Sequence, residues 1–368
     1  MSKLKIKIEQ KVLYDAIKLV GKSVAKKEVY PVATGILIEA KNDKLKLFST
    51  NFIYGIEKTI NDCEIIEEGS AVIKGALLQS YVSKLSNGEI TITSKDNHKA
   101  IIKTGMGKVK LDGFNPIEFP SRERFSEDKL TLNQSDLKYL FDKTKYSANK
   151  DAESSEPALA GIKLESNGDS LTSVATNIYR LSCINKPIEG LSKPIDVILP
   201  VQATDTLSDL LRGSEVDIYI KESWIKFDFG KTQLYSRIID GKFPDYKKVL
   251  PTESNFNVSI DKEQLLSAIE RIMVISKNKN FGESIIKISV DDANTYITVP
   301  EYEDNIEILE SEKEGDNFNI KVDGNYLIDF LKNTDKSVVE LSGLGKENPL
   351  ILRERDNEDW TYLVMPVR

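Results

Sequence analysis

The sequence is poor in the residues that most catalytic and metal sites require. Its 368 residues include one histidine, His98, and two cysteines, Cys63 and Cys183. His98 lies in a polar turn between predicted strands, without a partner for a triad or a metal site, and neither cysteine belongs to a CxxC pair. The sequence therefore predicts no metal and no cofactor. Two cysteines are too few for a disulfide framework, so we interpret them as small core residues of a cytoplasmic protein.

Long apolar segments and nucleotide-binding motifs are missing too. No run of about 18 apolar residues occurs, which predicts no membrane span, and the start, MSKLKIKIEQ, has no signal-peptide features. Gly21-Lys22-Ser23 ends like a phosphate loop, but the GxxxxGK[ST] pattern needs a glycine where this chain has Ala16. The 58 acidic residues are scattered, and no pair is singled out for acid–base catalysis. An enzyme that uses scattered acids stays an open alternative.

Three segments of the chain share one pattern of strand and helix. A short alternating strand, a polar residue near the N-cap and an amphipathic helix recur in 5–24, 129–148 and 256–276. Further strands recur at 35–39, 161–165 and 285–289, and a strand, second helix, turn and strand recur at 69–93, 193–220 and 317–341. We therefore predict an α+β protein of three tandem copies, 1–126, 127–252 and 253–368, each with two helices packed on antiparallel sheets.

Positive charge is concentrated on the first helix of each copy. The chain has a formal net charge of −7, which by itself argues against nucleic acid. However, the stretches 11–27, 134–150 and 262–279 together carry 13 Lys and Arg against five Asp and Glu. At about 100° per residue, Lys11, Lys18 and Lys22 share one stripe of the first helix. This stripe is either a solvated helix face or part of a basic surface that attracts phosphates without reading sequence.

One loop carries aromatic residues where a polar sequence is usual. Residues 238–251 read IIDGKFPDYKKVLP and follow a predicted strand. This string, ATNIYRLS (175–182), the LAG of ALAGIKLES (158–166) and the final YLVMPVR (362–368) together resemble the bacterial DNA polymerase III beta subunit, the sliding-clamp family. The resemblance covers the whole chain.

The resemblance implies a processivity factor that is not an enzyme. Clamps of this family are homodimers whose two three-domain protomers join head to tail into a ring of six domains around duplex DNA. Twelve helices line the hole and the sheets form the outer wall. The ring tethers the polymerase III alpha subunit and receives other proteins that carry a clamp-binding motif. A separate ATP-driven clamp loader opens it.

The resemblance also assigns residues to sites. A peptide-binding pocket between domains 2 and 3 would use Leu159, Thr176, Ile178, Tyr179, Arg180, Leu181, Pro244, Lys248, Val249, Tyr326, Leu363, Val364, Met365, Pro366 and Val367. The positions expected near DNA are Lys26, Lys27, Asn149 and Lys150, with Lys11, Lys18, Lys22, Lys138, Lys145 and Arg271 as helix candidates. The dimer interface would pair Val109 and Leu111 of an edge strand with Val274 and Ile275 at a helix end. For Phe243 and Tyr246 the alternative is packing between the two domains.

The chain departs from the family at the pocket. Ile178 and Tyr179 stand where Gly-His is usual, Lys248 stands where arginine is common, and Val367 stands where methionine is frequent. These changes predict a pocket of altered shape or partner preference, as in a divergent, second or mobile-element clamp. A third alternative is an adaptor that keeps the fold and the pocket but does not bind DNA.

Overall fold

The structure, a computed structural model, describes residues 3–26, 29–95, 98–105, 107–150, 156–189, 191, 193–251, 253–278, 284–300 and 302–367. These residues form two compact units. Unit 1 comprises Met1–Gln134 and Asp209–Ile238, and unit 2 comprises Ser135–Ser208 and Ile239–Arg368. The stretch predicted as the middle domain contributes to both units, and the ranges of the three predicted domains stay a prediction.

The described residues contain six α-helices, separated by runs of strands. The helices are α1 (Gln10–Val20), α2 (Gly75–Val82), α3 (Gln134–Thr144), α4 (Val201–Leu210), α5 (Lys262–Asn278) and α6 (Gly324–Lys332). The first strands are β1 (Lys5–Glu9), β2 (Gly35–Lys41), β3 (Lys44–Thr50), β4 (Tyr54–Ile60), β5 (Cys63–Glu67), β6 (Gly69–Lys74), β7 (Glu89–Ser94), β8 (Ala100–Thr104), β9 (Gly107–Leu111), β10 (Gly113–Phe114), β11 (Leu130–Asn133), β12 (Gly161–Asn167), β13 (Ser170–Thr176) and β14 (Arg180–Pro187). The remaining strands are β15 (Asp196–Pro200), β16 (Glu215–Lys221), β17 (Trp224–Asp228), β18 (Thr232–Arg237), β19 (Phe256–Asp261), β20 (Ile285–Val290), β21 (Asn294–Val299), β22 (Tyr302–Glu310), β23 (Glu312–Gly315), β24 (Phe318–Asp323), β25 (Val338–Gly343), β26 (Leu350–Glu354) and β27 (Trp360–Val364).

The predicted repeat of elements is confirmed. A strand leads directly into a helix in β1–α1, β11–α3 and β19–α5, and the strand–helix–strand order recurs in β6–α2–β7, β15–α4–β16 and β24–α6–β25. The predicted α+β class with helices on antiparallel sheets is therefore also confirmed.

Unit 1 contains two antiparallel sheets. One has the strand order β5-β1-β7-β8-β9, and the other has the order β10-β6-β2-β3-β4-β18-β17-β16-β11. Helix α1 packs on α2 and on strands β3 and β4. Its apolar face is buried at Leu13, Ile17 and Val20, whereas Lys11 and Lys18 lie on the exposed face. The period of 3.6 residues thus separates the core side of α1 from its charged side, as the sequence predicts.

Unit 2 also contains two antiparallel sheets. Their strand orders are β15-β12-β13-β14-β27-β26-β25-β19-β23 and β22-β21-β20-β24. Helix α5 packs on α6 and on β20, β21 and β22. The polar residue expected at its N-terminus has a capping role, because the Asp261 carboxylate accepts a hydrogen bond from the Gln264 amide at 2.9 Å. The corresponding Glu9 before α1 makes no side-chain cap.

The two cysteines differ in burial. Cys183 is buried in β14, where burial and the nearby Glu165 raise the pKa of its thiol to about 12. Cys63 is only half-buried at the start of the edge strand β5. The predicted core position is confirmed for Cys183 and wrong for Cys63. Every helix of the described part of the chain is too short or too polar to traverse a lipid bilayer.

Candidate functional site

The turn between β13 and β14 holds two large apolar side chains outward. Thr176 Oγ1 accepts a hydrogen bond from the Ile178 amide at 3.0 Å and donates one to the Arg180 carbonyl at 2.7 Å. The Asn177 side-chain oxygen accepts from the amides of Tyr179 and Arg180 at 3.2 and 3.0 Å. Ile178 has a φ of +70°, which is unusual for a β-branched residue. The turn leaves Ile178 60% and Tyr179 59% exposed.

The aromatic residues of the 238–251 loop pack inward. Phe243 and Tyr246 are 8% and 7% exposed and join a cluster with Leu181, Ile198 and Leu363. The Tyr246 hydroxyl donates a 2.7 Å hydrogen bond to Glu165, and burial together with this bond raises the pKa of Tyr246. Both rings are therefore buried by packing, and Tyr246 also contributes to the lining of the depression beside the loop. The rings fix the loop against the sheet, so that the rest of the loop forms the wall of a depression.

A depression of about 580 Å³ opens beside this loop, entirely within unit 2. Such a volume fits a small ligand or the side chains of a short peptide. The lining residues are Thr176, Ile178, Arg180, Leu181, Pro244, Asp245, Tyr246, Lys248, Val249, Leu250, Pro251, Glu253, Gly343, Leu344, Asn348, Pro349, Ile351, Leu363 and Met365. We call this depression the pocket. Its walls are mainly apolar, and Val249 and Met365 are 52% and 42% exposed in it.

Arg180 ties the pocket wall to helix α6. Its guanidinium pairs with Asp329 at 2.6 Å and donates to the Tyr146 carbonyl oxygen. It also lies 4.5 Å from the centre of the Tyr326 ring. Burial lowers the pKa of this guanidinium, but Tyr362 and Asp329 outweigh burial, so the pKa is raised. The side chain therefore stays charged and holds the turn in place.

The structure brings most of the predicted pocket residues together. Those that line the pocket are Thr176, Ile178, Arg180, Leu181, Pro244, Lys248, Val249, Leu363 and Met365. The six others do not line it: Leu159, Tyr179, Tyr326, Val364, Pro366 and Val367. Leu159 and Val364 are buried, and Tyr326 lies behind Arg180. Pro366 and Val367 line a separate depression beside β24.

One wall of the pocket was not anticipated from the sequence. It is formed by the loop between β25 and β26 and the strands that flank it: Gly343, Leu344, Asn348, Pro349 and Ile351. Asp245, Leu250, Pro251 and Glu253 of the other wall were missed as well. The signal available in the sequence was the GLGKENP stretch at 343–349, a turn between two alternating strands.

The basic candidates of unit 1 lie on α1 and directly after it. Lys11, Lys18, Lys22 and Lys26 are exposed, and Lys27 lies outside the described residues. Lys22 pairs with Asp209 at 2.6 Å. Lys11, Lys18 and Lys26 form no ion pair with any residue that the structure describes. Their charges are therefore available to an external anion.

The basic candidates of unit 2 are mostly paired within the chain. Lys138 and Lys145 both contact the Asp142 carboxylate, at 2.7 and 2.6 Å. Burial raises the pKa of Asp142, but hydrogen bonds from Lys138, Lys145 and Ser208 outweigh burial and lower it. Arg271 makes two hydrogen bonds with Glu307, at 2.8 and 2.5 Å.

The loop candidates of unit 2 are the half-buried Asn149 and the exposed Lys150. The backbone amide of Asn149 donates to the Leu159 carbonyl at 2.8 Å.

Two sheet edges carry charge of opposite sign. Strand β9, at the edge of its sheet, holds exposed Lys108 and Lys110 beside the half-buried Val109, and it ends at the buried Leu111. Strand β22 is the edge of the four-stranded sheet of unit 2, and its exposed residues include Asp304 and Glu310. Within the part of the chain that the structure describes, no further strand pairs with the outer edge of β9 or of β22.

The predicted interface residues on α5 lie near the acidic edge. Val274 is 59% exposed and Ile275 is half-buried, on the helix that packs against β22. Ile306 and Ile308 of β22 are 44% and 57% exposed. The described residues include no group of three or more His, Cys, Asp or Glu that could hold a metal ion.

Solved structures share this fold. The DNA polymerase sliding clamp from Bacillus subtilis matches with a TM-score of 0.93 at 24% identity, over 100% of both chains. The DNA polymerase III subunit beta from Pseudomonas aeruginosa matches with a TM-score of 0.90 at 26% identity, over 99% of this chain and 100% of that one. The fold is therefore that of the DNA polymerase sliding clamps.

Sequence comparison identifies the family. Models of the DNA polymerase III beta subunit match in order: the N-terminal domain at residues 4–123, the central domain at 131–245 and the C-terminal domain at 247–368. A beta sliding clamp from Staphylococcus epidermidis is 26% identical over 362 residues, 94% of each chain. The chain belongs to the DNA polymerase III beta subunit family.

Proposed function

We propose that this protein is a DNA sliding clamp, a non-catalytic processivity factor that encircles duplex DNA and tethers the replicative polymerase. The observation that carries the proposal is the ordered match of three beta-subunit domains along residues 4–368. The named relatives and the shared fold support it. Retention on DNA would then be topological, so weak phosphate contacts would suffice.

Encirclement requires two copies of the chain joined head to tail. The edges of β9 and β22 support such a homodimer, because each offers unpaired backbone groups and they carry opposite charge. Pairing β9 of one protomer with β22 of its partner would bring Val109 towards Val274, which lies on the helix behind β22. Two such junctions would close the ring.

Contact with DNA would be electrostatic and independent of sequence. The best-supported residues are Lys11, Lys18 and Lys26, because they are exposed and form no ion pair with any described residue. Lysine ammonium groups interact with phosphates as mobile point charges, and the attraction weakens with salt. Lys138, Lys145 and Arg271 would have to exchange an internal carboxylate for a phosphate.

The pocket would receive a short linear peptide of a partner protein. Its apolar floor at Leu363 and Ile351 suits apolar anchor side chains, while Lys248 and Asp245 at the rim suit polar guidance. The partners we propose are the polymerase III alpha subunit, the clamp loader and other proteins with a clamp-binding motif. Ile178 fills part of the rim, so the preferred peptide would differ from that of a clamp with glycine there.

Retention on circular DNA tests the proposal directly. The protein is loaded onto a nicked circular duplex with a bacterial clamp loader and ATP, and the complex is isolated by gel filtration. We expect the protein to stay with the circle in 0.2 M salt and to leave within minutes after a restriction enzyme linearises it. Equal retention on linear and circular DNA would contradict topological binding, and failure to load by any route would favour the adaptor alternative.

A further inference from the structure

Unit 1 contains a copy of the turn that walls the pocket. Thr50 Oγ1 accepts from the Phe52 amide and donates to the Tyr54 carbonyl, both at 3.0 Å. The Asn51 side-chain oxygen accepts from the amides of Ile53 and Tyr54 at 3.0 and 2.9 Å. Phe52 has a φ of +70°, as Ile178 does in unit 2. The same hydrogen bonds therefore hold the same strained turn in both units.

The hydrogen bond that joins this turn to the neighbouring strand end also occurs in both units. In unit 2 the Met365 amide donates to the Tyr179 carbonyl at 2.8 Å, immediately after β27. In unit 1 the Arg237 amide donates to the Ile53 carbonyl at 2.8 Å, at the end of β18. Strand β18 pairs with β4 as β27 pairs with β14. Arg237 thus stands where the pocket has Met365.

The floor of the pocket has a counterpart of different chemistry. Leu363 and Ile351 are cross-strand partners in β27 and β26. The corresponding partners in β18 and β17 are Tyr235 and Lys226. The counterpart floor of unit 1 is therefore aromatic and partly cationic.

A side chain from the same chain covers that counterpart floor. The ring centre of Phe125 lies 6.2 Å from that of Tyr235 and 6.4 Å from that of Tyr219. The Lys226 ammonium lies 5.6 Å from the Phe125 ring centre, and Trp224 joins the same cluster. Phe125 thus sits where, in unit 2, the pocket is open.

Arg122 anchors the covering segment by charge. It pairs with Glu39 at 3.1 Å and with the buried Glu57 at 2.5 Å, and its guanidinium lies 4.8 Å from the Phe48 ring centre. Glu57 also pairs with Lys46 at 2.8 Å, so Arg122 is the second of two cations on this buried carboxylate, and its attraction to Glu57 and Glu39 favours the docked position.

The segments that follow the Phe-Pro pair of each unit carry different side chains. Phe119 joins a cluster with Phe48, Val72 and Tyr235, as Phe243 joins one with Val174, Ile198 and Leu363. Residues 121–129 then precede β11, and residues 245–255 precede β19. The groove of unit 1 is therefore covered because the segment 121–129 carries Phe125 and Arg122, and not because it is the longer segment.

We propose that unit 1 holds a second peptide groove, which residues 121–127 of the same chain occupy as an internal ligand. Phe125 is its aromatic anchor and Arg122 its charged anchor. The groove takes peptides with an arginine three residues before a phenylalanine. Tethering places the internal segment at an effective concentration of about millimolar, which excludes external peptides until the segment is released. The comparison rests on the proposed function only in treating the pocket of unit 2 as a peptide site.

Binding of the segment as a separate peptide, to a variant whose own segment lacks its two anchor residues, tests the proposal. The probe is a fluorescein-labelled synthetic peptide of residues 121–128, SRERFSED, and the full-length protein carries Arg122→Ser and Phe125→Ser. By fluorescence anisotropy we expect the probe to bind this variant at least tenfold more tightly than the wild type. The matched control, Arg124→Ser with Glu127→Ser, changes two exposed residues of the same segment and should behave as the wild type.

Further measurements distinguish binding to the groove of unit 1 from binding to the pocket of unit 2 and from an effect of misfolding. Adding Met365→Ala should leave the gain unchanged, because the probe binds unit 1. A probe with serine in place of its arginine at 122 and its phenylalanine should not bind. Identical curves for the wild type and the folded double variant, or a gain abolished by Met365→Ala, would overturn the proposal. If the double variant does not fold, Phe125→Ser alone replaces it, and we expect a smaller gain in probe affinity of about threefold. No gain in affinity for this single variant would also overturn the proposal. None of these outcomes depends on DNA retention.

Discussion

At the residue scale, the most unusual position is Ile178, a β-branched residue at a φ of +70°. Such a conformation costs on the order of 1–3 kcal/mol and persists only where the surrounding hydrogen bonds impose it. Here the Thr176 and Asn177 side chains impose it from within the turn. The strain holds an exposed apolar side chain at the rim of the pocket.

Replacing Ile178 by glycine should relieve this strain and remove the rim. We expect Ile178→Gly to raise the free energy of unfolding by about 1 kcal/mol, measured by chemical denaturation. The same change should weaken a polymerase-derived peptide in titration calorimetry, because apolar contact area is lost. Tyr179→Gly is the matched control, since Tyr179 does not have a positive φ and lies outside the pocket, and it should lower stability. A destabilised Ile178→Gly variant would contradict strain at this position.

Asp142 pairs with two lysines that are candidates for DNA contact, so it couples stability and pH to their charge. Its folded pKa is lowered, so its contribution to stability is present above its unfolded pKa of about 3.9 and is lost as pH falls through the folded value. We expect Asp142→Asn to lower the free energy of unfolding at pH 7, and we expect this difference to shrink as pH falls below about 3.9. The measurement is urea denaturation at a series of pH values.

The same substitution should change DNA binding. Lys138 and Lys145 lose their internal partner in Asp142→Asn, so we expect tighter binding to duplex DNA and a steeper dependence on salt. Asp136→Asn provides a control on the same helix, because Asp136 contacts Lys186 instead. A stability difference that stays constant as pH falls would argue against the ion-paired carboxylate as the cause.

At the element scale, the sequence predicted which segments form strands and helices because their apolar periods of two and 3.6 residues recur three times. It also predicted the exposed stripe of α1. It did not predict Gly343–Ile351 as a pocket wall, because such contacts join segments far apart in the chain. The role of Phe125 was missed because its contacts also join segments far apart in the chain. It is, moreover, the single aromatic residue of an otherwise polar linker, which gives no periodic pattern.

The edge strand β9 is the element most open to a direct test. We expect Lys108→Glu with Lys110→Glu to weaken the proposed homodimer by at least tenfold, because like charges would then face the acidic edge of β22. Sedimentation velocity across a concentration series measures the dimer fraction. Lys103→Glu, an exposed lysine of the interior strand β8, is the control and should leave the dimer intact. An unchanged dimer in the β9 variant would remove this strand from the interface.

At the scale of the whole molecule, charge distribution matters more than net charge. The first-helix stretches are basic, while the rest of the chain carries 38 Lys and Arg against 53 Asp and Glu. An acidic exterior would repel DNA, so that the basic helices would be the favourable surface for it. The average of −7 hides this separation.

Charge reversal on α1 tests that separation. Lys11→Glu with Lys18→Glu should reduce processive synthesis and retention on DNA circles, most strongly at low salt where electrostatic attraction is unscreened. Lys41→Glu with Lys44→Glu, around the turn between β2 and β3, changes net charge equally and serves as the control. Equal losses in both variants would indicate a net-charge effect rather than a surface on α1.

Duplication of a domain also duplicates its apolar binding surfaces. Each copy must then either bind a partner or be covered by the chain itself. In this chain the segment after Pro120 covers one groove, with Phe125 over its floor. Deleting residues 121–127 would therefore do more than shorten a connector: it would bare an aromatic strip beside Tyr219, Trp224 and Tyr235. The shortened chain should aggregate as its concentration rises, so the segment 121–127 also keeps the protein soluble.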